Sequence, residues 1–348
     1  MEKRLLKTLP SLAAEPECYL VYDKAVSWFA ERLLAGGDFR GSLPLTVSDA
    51  GKTMDSVLDI CRYLMAAGAT RQALVVALGG GTLTDMAGFA ASIYKRGIRY
   101  ANIPTTLLAQ VDAGIGGKTG VNLDGYKNMI GAFRQPEWVW LCPAVLSTLP
   151  ERAFRCGVAE LLKTFLVADA SRYADAVRFL SISSSKMPIS EDSLAELVWK
   201  AAEIKAGITE RDPYDMGERR KLNFGHTFAH AIEHEALRRG DDIRHGEAVA
   251  MGMVLAAQLE DEISRQARND NNVMPDSDRA SLAERLAADF AACGLPVACP
   301  YPMAALVDAM RLDKKGETDG VRFVLLRQIG ETEERLLTMP ALTALLLR

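Results

Sequence analysis

The sequence ALVVALGGGTLTD, residues 73–85, places an unbroken apolar run directly before three glycines. Six consecutive apolar residues predict a strand that is buried on both faces, as strands of a parallel sheet are. The glycines that follow predict a tight turn, and residues 85–94 then carry a helical pattern. This succession of strand, turn and helix indicates an α/β domain with a parallel sheet.

The same alternation of short apolar runs and helical patterns extends through the first 150 residues. Further strands are predicted at residues 18–22, 43–47 and 100–103, and further helices at residues 25–34 and 54–67. Strands that alternate with helices are typical of a layered parallel sheet. We therefore expect residues 1–150 to form one α/β domain.

The pattern changes after Pro150. Helices are predicted at residues 153–167, 173–180, 194–205, 225–237 and 247–266, with one strand at 321–326 and polar loops at 181–193 and 269–278. A mainly helical second domain is expected over residues 151–348. A cleft between the two domains is the default position for a small-molecule site.

Composition excludes several classes of protein. The chain has 348 residues with a formal net charge of −4, so a dedicated nucleic-acid binder with a basic face is disfavoured. Neither a signal peptide nor an apolar run long enough to span a membrane is visible. The six cysteines include no Cys-x-x-Cys pair, which is typical of reduced thiols in a cytoplasmic protein.

The glycine turn suits a phosphate group. Gly79, Gly80 and Gly81 would let backbone N–H groups approach an anion at the start of a helix. A tight turn without a ligand is the simpler alternative. Asp85 is predicted to cap the following helix rather than to bind a ligand hydroxyl.

Residues 104–133 combine glycines with cations, a carboxylate and amides. Asp112, Lys118, Asn122, Lys127 and Asn128 lie in this stretch. Such a mixture suits a small, highly oxygenated anion, although a solvated loop is the alternative. We expect the stretch to bind a ligand.

All histidines of the chain fall within twenty residues of one another, at His226, His230, His234 and His245. The first three are four residues apart, so one helix face carries them. Because neutral imidazole is a common metal ligand, the cluster indicates a metal site. His234 lies between two glutamates and is the expected bystander.

A carboxylate is expected to complete this metal site. Glu160 lies in an otherwise apolar helical pattern, where an unpaired charge would be costly, and is one candidate. Thr227 stands where a zinc protease has its catalytic glutamate, so that class is disfavoured. Lys163, Lys205 and Arg219 are further cations that would bind a phosphate or a carboxylate.

Taken together, residues 79–85, 104–133, 157–163, 219–230 and 245–247 resemble the motifs of the 3-dehydroquinate synthase family. The resemblance implies an N-terminal NAD-binding α/β domain and a helical domain that holds a divalent metal. It implies conversion of the sugar phosphate 3-deoxy-D-arabino-heptulosonate 7-phosphate to 3-dehydroquinate, with phosphate release, transient oxidation by NAD and an intramolecular aldol closure.

The resemblance also assigns roles to particular residues. It implies that Glu160, His226 and His245 bind zinc or cobalt. The NAD positions it implies are Asp49, Lys52, Gly79, Gly80, Gly81, Asp85, Thr105, Thr106, Lys127 and Thr148. The substrate positions are Asp112, Lys118, Asn128, Lys163, Lys205, Arg219, Asn223, His230, Lys314 and Lys315. Arg96 resembles an arginine that enters a neighbouring subunit's site, which implies a homodimer.

Three positions depart from the family pattern. Asp49 and Asp215 stand where glutamate is usual, and Ala25 stands where a polar residue is common. We expect these changes to tune cofactor affinity rather than abolish it. The alternatives are a sister sugar-phosphate cyclase, a metal-dependent polyol dehydrogenase and a protein without enzymatic activity.

Overall fold

The computed structural model of the chain describes residues 4–12, 15, 17–37, 39–124, 126–183, 191–270, 281–313 and 320–347. The chain divides into two compact units. The first contains Met1–Gly157 and Glu191–Asp215, and the second contains Val158–Ser190 and Met216–Arg348. The domain boundary predicted after residue 150 stays a prediction.

The described residues form a mixture of strands and helices. The strands are β1 (Leu5–Leu6), β2 (Cys18–Asp23), β3 (Phe39–Leu45), β4 (Leu74–Gly79), β5 (Arg99–Pro104), β6 (Lys118–Leu123), β7 (Tyr126–Phe133), β8 (Val139–Trp140), β9 (Gly320–Gln328) and β10 (Glu331–Thr338). The helices are α1 (Ser27–Gly36), α2 (Met54–Ala66), α3 (Gly81–Ile93), α4 (Glu151–Leu166), α5 (Ala170–Ser183), α6 (Glu191–Arg211), α7 (His226–Arg239), α8 (His245–Asp270), α9 (Leu282–Ala292), α10 (Met303–Asp313) and α11 (Met339–Leu346).

The first unit is built on a parallel sheet with the strand order β1-β8-β5-β4-β2-β3, which confirms the predicted α/β class. Every residue of β4 is buried, as the apolar run predicts. Val75 and Ala77 pack into one apolar cluster, whereas Leu74, Val76 and Leu78 pack into another. Because successive side chains of a strand point to opposite faces, β4 contributes to the core on both sides of the sheet.

Helix α3 begins earlier than the sequence pattern indicates. It starts at Gly81 with Gly80 as its N-cap, so Asp85 lies inside the helix and its predicted role as the cap is wrong. A Cβ on Gly79 would lie 2.6 Å from the Leu83 side chain, and one on Gly81 would lie 2.8 Å from the Ala113 Cβ. Tight packing of the turn therefore requires glycine there, whether or not a ligand binds.

The glycine-rich stretch between residues 104 and 133 contains regular structure that was not predicted. It holds a π-helical turn at Ala109–Ala113 and the antiparallel hairpin of β6 and β7. Gly120 and Gly131 are paired across this hairpin, and a Cβ on Gly131 would lie 2.1 Å from the Thr119 carbonyl oxygen. The two strands approach so closely at this point that larger side chains do not fit.

The second unit is mainly helical, with β9 and β10 as an antiparallel hairpin. The predicted helices at 225–237 and 247–266 correspond to α7 and α8, and the predicted strand at 321–326 lies within β9. Helices α9, α10 and α11 and strand β10 were not predicted. The loop predicted at 181–193 is wrong at its ends, since α5 extends to Ser183 and α6 begins at Glu191, and the loop predicted at 269–278 is wrong at residues 269–270, which belong to α8. Residues 184–190 and 271–278 lie outside the described residues.

Two general features complete the fold. All six cysteines are free thiols. Across the described part of the chain, no helix has the length and apolar character required to cross a membrane.

Candidate active site

Three helices of the fold bring a carboxylate and two imidazoles together in the second unit. Glu160 lies in α4, His226 is the first residue of α7, and His245 is the first residue of α8. One ligand atom from each residue lies within 4.8 Å of the other two, and we call this group the Glu–His–His cluster. The Nε2 atoms of His245 and His226 lie 3.1 Å and 3.6 Å from the same Glu160 oxygen, Oε1.

The other ring nitrogen of each histidine faces an oxygen atom. Nδ1 of His226 lies 3.3 Å from the Phe224 carbonyl oxygen, and Nδ1 of His245 lies 3.2 Å from Oε1 of Glu233. Hydrogen bonds at Nδ1 keep a proton on that nitrogen, so Nε2 is the atom that would bind a cation, in His245 after loss of the proton that Nε2 carries. Both imidazoles are therefore arranged as metal ligands that present Nε2.

Sequence reasoning missed Glu233 as part of this arrangement. The sequence indicated Glu233 only as a neighbour of His234. The His234 side chain is 38% exposed, and its Nδ1 lies 3.8 Å from Oε1 of Glu235. The available signal was its position seven residues after His226, which places both residues on the same face of α7. The contact between Glu233 and His245 joins α7 to the start of α8, so it depends on tertiary structure.

The electrostatics of the cluster favour a cation. Burial opposes ionisation of Glu160, but the Lys163 ammonium and the two imidazoles hold the pKa of that carboxyl well below its ordinary value. Burial and Lys163 lower the pKa of His226 to about 3, so this imidazole is neutral. Although burial opposes the charged form of His245, Glu233 and Glu160 raise its pKa to about 10. The cluster thus holds a positive charge at His245, which a bound divalent ion would replace.

A glycine before α7 and a glycine within α8 lie where these two helices pack closely together. Gly225 precedes α7 with a φ of 79°, in the left-handed region that favours glycine. A Cβ on Gly252 of α8 would lie 2.3 Å from the Gly225 carbonyl oxygen. The two helices therefore pack with almost no space between their backbones, next to His226.

Other predicted residues of the second unit lie at or near these helices. Lys163 is buried and forms an ion pair with Glu160. His230 follows His226 by one turn, and their ring centroids are 5.8 Å apart. Arg219 is buried in the 3₁₀ turn Glu218–Asn223, which also contains Asn223. Lys314 and Lys315 lie outside the described residues.

In the first unit, predicted cofactor residues lie at the carboxyl ends of β4 and β5. The Thr105 N–H donates to the Gly79 carbonyl oxygen over 2.9 Å, and a Cβ on Gly80 would lie 3.0 Å from the Thr106 methyl carbon. Ligands of open α/β sheets bind at this edge. The turn therefore has the position that a dinucleotide site requires.

Lys52 connects two of the predicted residues. Its Nζ atom lies 2.6 Å from Oδ2 of Asp85 and also donates to Oδ1 of Asn128. Burial raises the pKa of Asp85, and the Lys52 ammonium partly offsets that effect. Asp85 is thus part of a polar network with Lys52 and Asn128 in the first unit.

The remaining predicted residues of this unit are mostly paired as well. Lys205 donates to the Asp112 carboxylate and, over 2.8 Å, to the Asp112 carbonyl oxygen. Lys118 forms an ion pair with Asp215, one of the positions that depart from the family pattern. These pairs place cations and carboxylates together, as a site for a polyhydroxylated acid would.

The first unit holds four further predicted positions, Asp49, Lys127, Thr148 and Arg96. Lys127 forms a half-exposed ion pair with Asp49, with 3.3 Å between Nζ and Oδ2. Thr148 ends a 3₁₀ helix and donates to the Val145 carbonyl oxygen over 3.2 Å. Arg96 follows α3 with a left-handed φ of 68°. The role of Arg96 in a neighbouring subunit's site stays a prediction.

The fold and the cluster define the class of protein. It combines a parallel α/β unit, whose sheet has the edge at which dinucleotides bind, with a helical unit that carries potential metal ligands. Family models described as "3-dehydroquinate synthase N-terminal" and "3-dehydroquinate synthase C-terminal" match residues 42–156 and 157–316. The chain belongs to the 3-dehydroquinate synthase family.

Individual relatives agree with this membership. A 3-dehydroquinate synthase of Acidithiobacillus ferrooxidans is 42% identical over 290 residues, which span 83% of this chain and 75% of the relative. The 2-epi-5-epi-valiolone synthase of Streptomyces hygroscopicus, solved with NAD⁺ and Zn²⁺, is 29% identical with a TM-score of 0.82, covering 99% and 94% of the two chains. A 2-deoxy-scyllo-inosose synthase solved with carbaglucose-6-phosphate, NAD⁺ and Co²⁺ shares the fold at 24% identity and a TM-score of 0.75, over 95% and 90% of the chains.

Proposed function

We propose that this chain converts 3-deoxy-D-arabino-heptulosonate 7-phosphate to 3-dehydroquinate and releases phosphate, acting as a lyase that requires NAD and one divalent metal ion. The observation that carries the proposal is the Glu–His–His cluster, in a chain of the 3-dehydroquinate synthase family. The expected cytoplasmic location stays a prediction.

The residues of the cluster fit a zinc or cobalt ion. Glu160 supplies a buried ionised oxygen, and His226 and His245 present Nε2 beside it. NAD is assigned to the edge of the sheet near Gly80, Gly81 and Asp85. When bound, NAD would supply reversible hydride transfer at a ring carbon of the sugar, and the metal ion would supply Lewis-acid polarisation of the reacting oxygen.

The side chains around these groups bind, orient and stabilise charge. Lys163 is a buried cation beside Glu160, and a buried cation stabilises developing negative charge more strongly than a solvated one. Lys118, Lys205 and Arg219 are assigned to the substrate's phosphate and carboxylate, and Asn128 and His230 to its orientation. The leaving phosphate is proposed as the base, so no side chain is assigned that role.

The state of the assembly and the departures from the family pattern are parts of the same proposal. We propose a homodimer in which Arg96 serves the neighbouring subunit. Asp49 and Asp215 are proposed to keep their roles with shorter side chains, since Asp49 pairs with Lys127 and Asp215 with Lys118. The side chain of Ala25 is a methyl group, so this position offers no side-chain donor to the cofactor, and its backbone N–H donates to Oδ1 of Asp23 over 3.0 Å.

An assay of the purified protein tests the proposal. With heptulosonate phosphate, NAD and zinc, the protein should release phosphate without accumulating NADH. Steady accumulation of NADH would instead indicate a dehydrogenase. The likeness to 2-epi-5-epi-valiolone synthase favours one second candidate, a sister cyclase that uses another heptulose phosphate. Turnover of a heptulose phosphate without the carboxylate, but not of the heptulosonate, would identify that alternative.

A further inference from the structure

A bulge in the hairpin of β6 and β7 separates Asn122 from the regular ladder. Val121 pairs with Ile130, and Leu123 pairs with Tyr126. Between these pairs β6 has the single residue Asn122, whereas β7 has the longer stretch 127–129. Bulges of this kind redirect side chains and are frequent next to active sites.

Outside the ladder, Asn122 forms hydrogen bonds with two other segments. Its backbone N–H donates to the Lys52 carbonyl oxygen over 2.9 Å, and its Nδ2 donates to the Asp49 carbonyl oxygen over 3.3 Å. Its Oδ1 accepts a hydrogen bond from the Asn128 N–H over 3.0 Å. One residue thus contacts the backbone of two predicted NAD positions and one predicted substrate position.

These contacts form a closed hydrogen-bond network of Lys52, Asn122 and Asn128. The Lys52 side chain donates to the Asn128 side chain, and Asn122 binds the backbones of both residues. Asn128 has a φ of 56°, in the left-handed region, which asparagine adopts more readily than other non-glycine residues but at a cost that fixed partners offset. Asn122, which accepts the hydrogen bond from the Asn128 N–H, is such a partner.

We infer that Asn122 is a positioning residue that holds the Asn128 amide and the segment from Asp49 to Lys52 in one arrangement, which couples substrate orientation to NAD binding. The inference rests on the proposed function for the roles of those partners. Asn122 itself is not assigned a contact with substrate or cofactor. Its effect therefore passes through Asn128, Lys52 and Asp49.

Two substitutions separate the hydrogen bond to Asn128 from the hydrogen bond to Asp49. Asn122→Ala removes both side-chain hydrogen bonds, and we expect the dissociation constant of NAD to rise about tenfold and kcat to fall about tenfold. Asn122→Asp keeps the acceptor for the Asn128 N–H but loses the donor to Asp49. It should recover kcat at saturating NAD while the dissociation constant of NAD stays raised.

Thr119→Val is the matched control in the same hairpin. It removes the hydroxyl donor to the Ala132 carbonyl oxygen, over 2.9 Å, and leaves the segment 49–52 untouched. NAD titration calorimetry, steady-state kinetics and melting temperature are measured for all variants, with hydrogen exchange of the Asn128 amide in the ligand-free protein. We expect faster exchange in Asn122→Ala than in Thr119→Val or Asn122→Asp.

The outcomes are distinct. Unchanged NAD affinity and kcat in Asn122→Ala would overturn the inference. So would losses of NAD affinity and kcat that, across all three variants, are proportional to the decrease in melting temperature. A wild-type protein that neither binds NAD nor releases phosphate would contradict the proposed function instead. Hydrogen exchange at Asn128 would still decide whether Asn122 supports that residue, because this measurement needs no ligand.

Discussion

His245 stands between two carboxylates, with Nε2 3.1 Å from Glu160 and Nδ1 3.2 Å from Glu233. Glu160 also faces Nε2 of His226, so one oxygen atom is shared by two imidazoles. Glu233 faces the outer nitrogen of His245, Nδ1. Glu160 would therefore bind a metal ion, whereas Glu233 orients the ligand His245. The two residues lead to different predictions.

Loss of a ligand should remove the metal and the activity. His226→Ala is expected to reduce turnover at least a thousandfold and to abolish stoichiometric metal binding, because two ligands do not hold the ion. A strong chelator should do the same to the wild type. Metal content by mass spectrometry and phosphate release measure both effects, with His234→Ala as the control on the same helix. Full activity after chelation would contradict the metal assignment.

Glu233→Gln should weaken metal binding without removing a ligand. We expect the metal dissociation constant to rise about 10-fold to 100-fold, because the partner of the outer ring nitrogen sets the tautomer and basicity of a ligating histidine. Glu235→Gln is the matched control, since Glu235 pairs with Arg238 and Arg239 on the same helix. Metal titration against a competing chelator compares the two. Equal affinities for both variants would exclude a role for Glu233.

Two glycine substitutions in the first unit should change stability in opposite directions. A Cβ on Gly157 would lie 2.5 Å from the Leu108 backbone nitrogen, so Gly157→Ala is expected to destabilise the protein by about 1–3 kcal/mol. In α6, a Cβ on Gly207 would meet only the flexible end of Arg211, at 3.3 Å, and Gly207→Ala should stabilise by up to about 1 kcal/mol. Urea denaturation measures both. Destabilisation by Gly207→Ala would contradict the open packing around Gly207.

Removal of Lys52 should make stability depend more steeply on pH. Burial already raises the pKa of Asp85, and Lys52→Met removes the cation that offsets it. Between the unfolded and the folded pKa of Asp85, the native state binds more protons than the unfolded state. The free energy of unfolding therefore falls as pH rises through that window, and it should fall further in Lys52→Met than in the wild type.

The matched control for this prediction is the double variant Lys52→Met with Asp85→Asn, which has no ionisable group at position 85. Its free energy of unfolding should regain the shallower pH dependence. Chemical denaturation at a series of pH values gives the comparison. Parallel pH profiles for the single and double variants would show that Asp85 does not carry the effect.

Local sequence pattern was enough to predict the α/β unit and the helices that carry the candidate ligands. The apolar run of β4 is buried on both faces as predicted, and α7 and α8 lie where the periodicity indicated. These features depend on side chains that are neighbours along the chain. The clustering of histidines was equally visible, since His226 and His230 lie on one helix face whatever surrounds it.

Only the tertiary structure decided which groups face each other. The hairpin of β6 and β7 was not predicted because its glycines interrupt the alternation that reveals a strand. At the start of α3, Gly81 packs against Ala113, and Gly79 before the helix packs against Leu83. Glu233 and Asn122 gain their positions through contacts with residues distant along the chain. Periodicity reports which face of an element is apolar, but hydrogen bonds between elements form only when packing brings their atoms within about 3 Å.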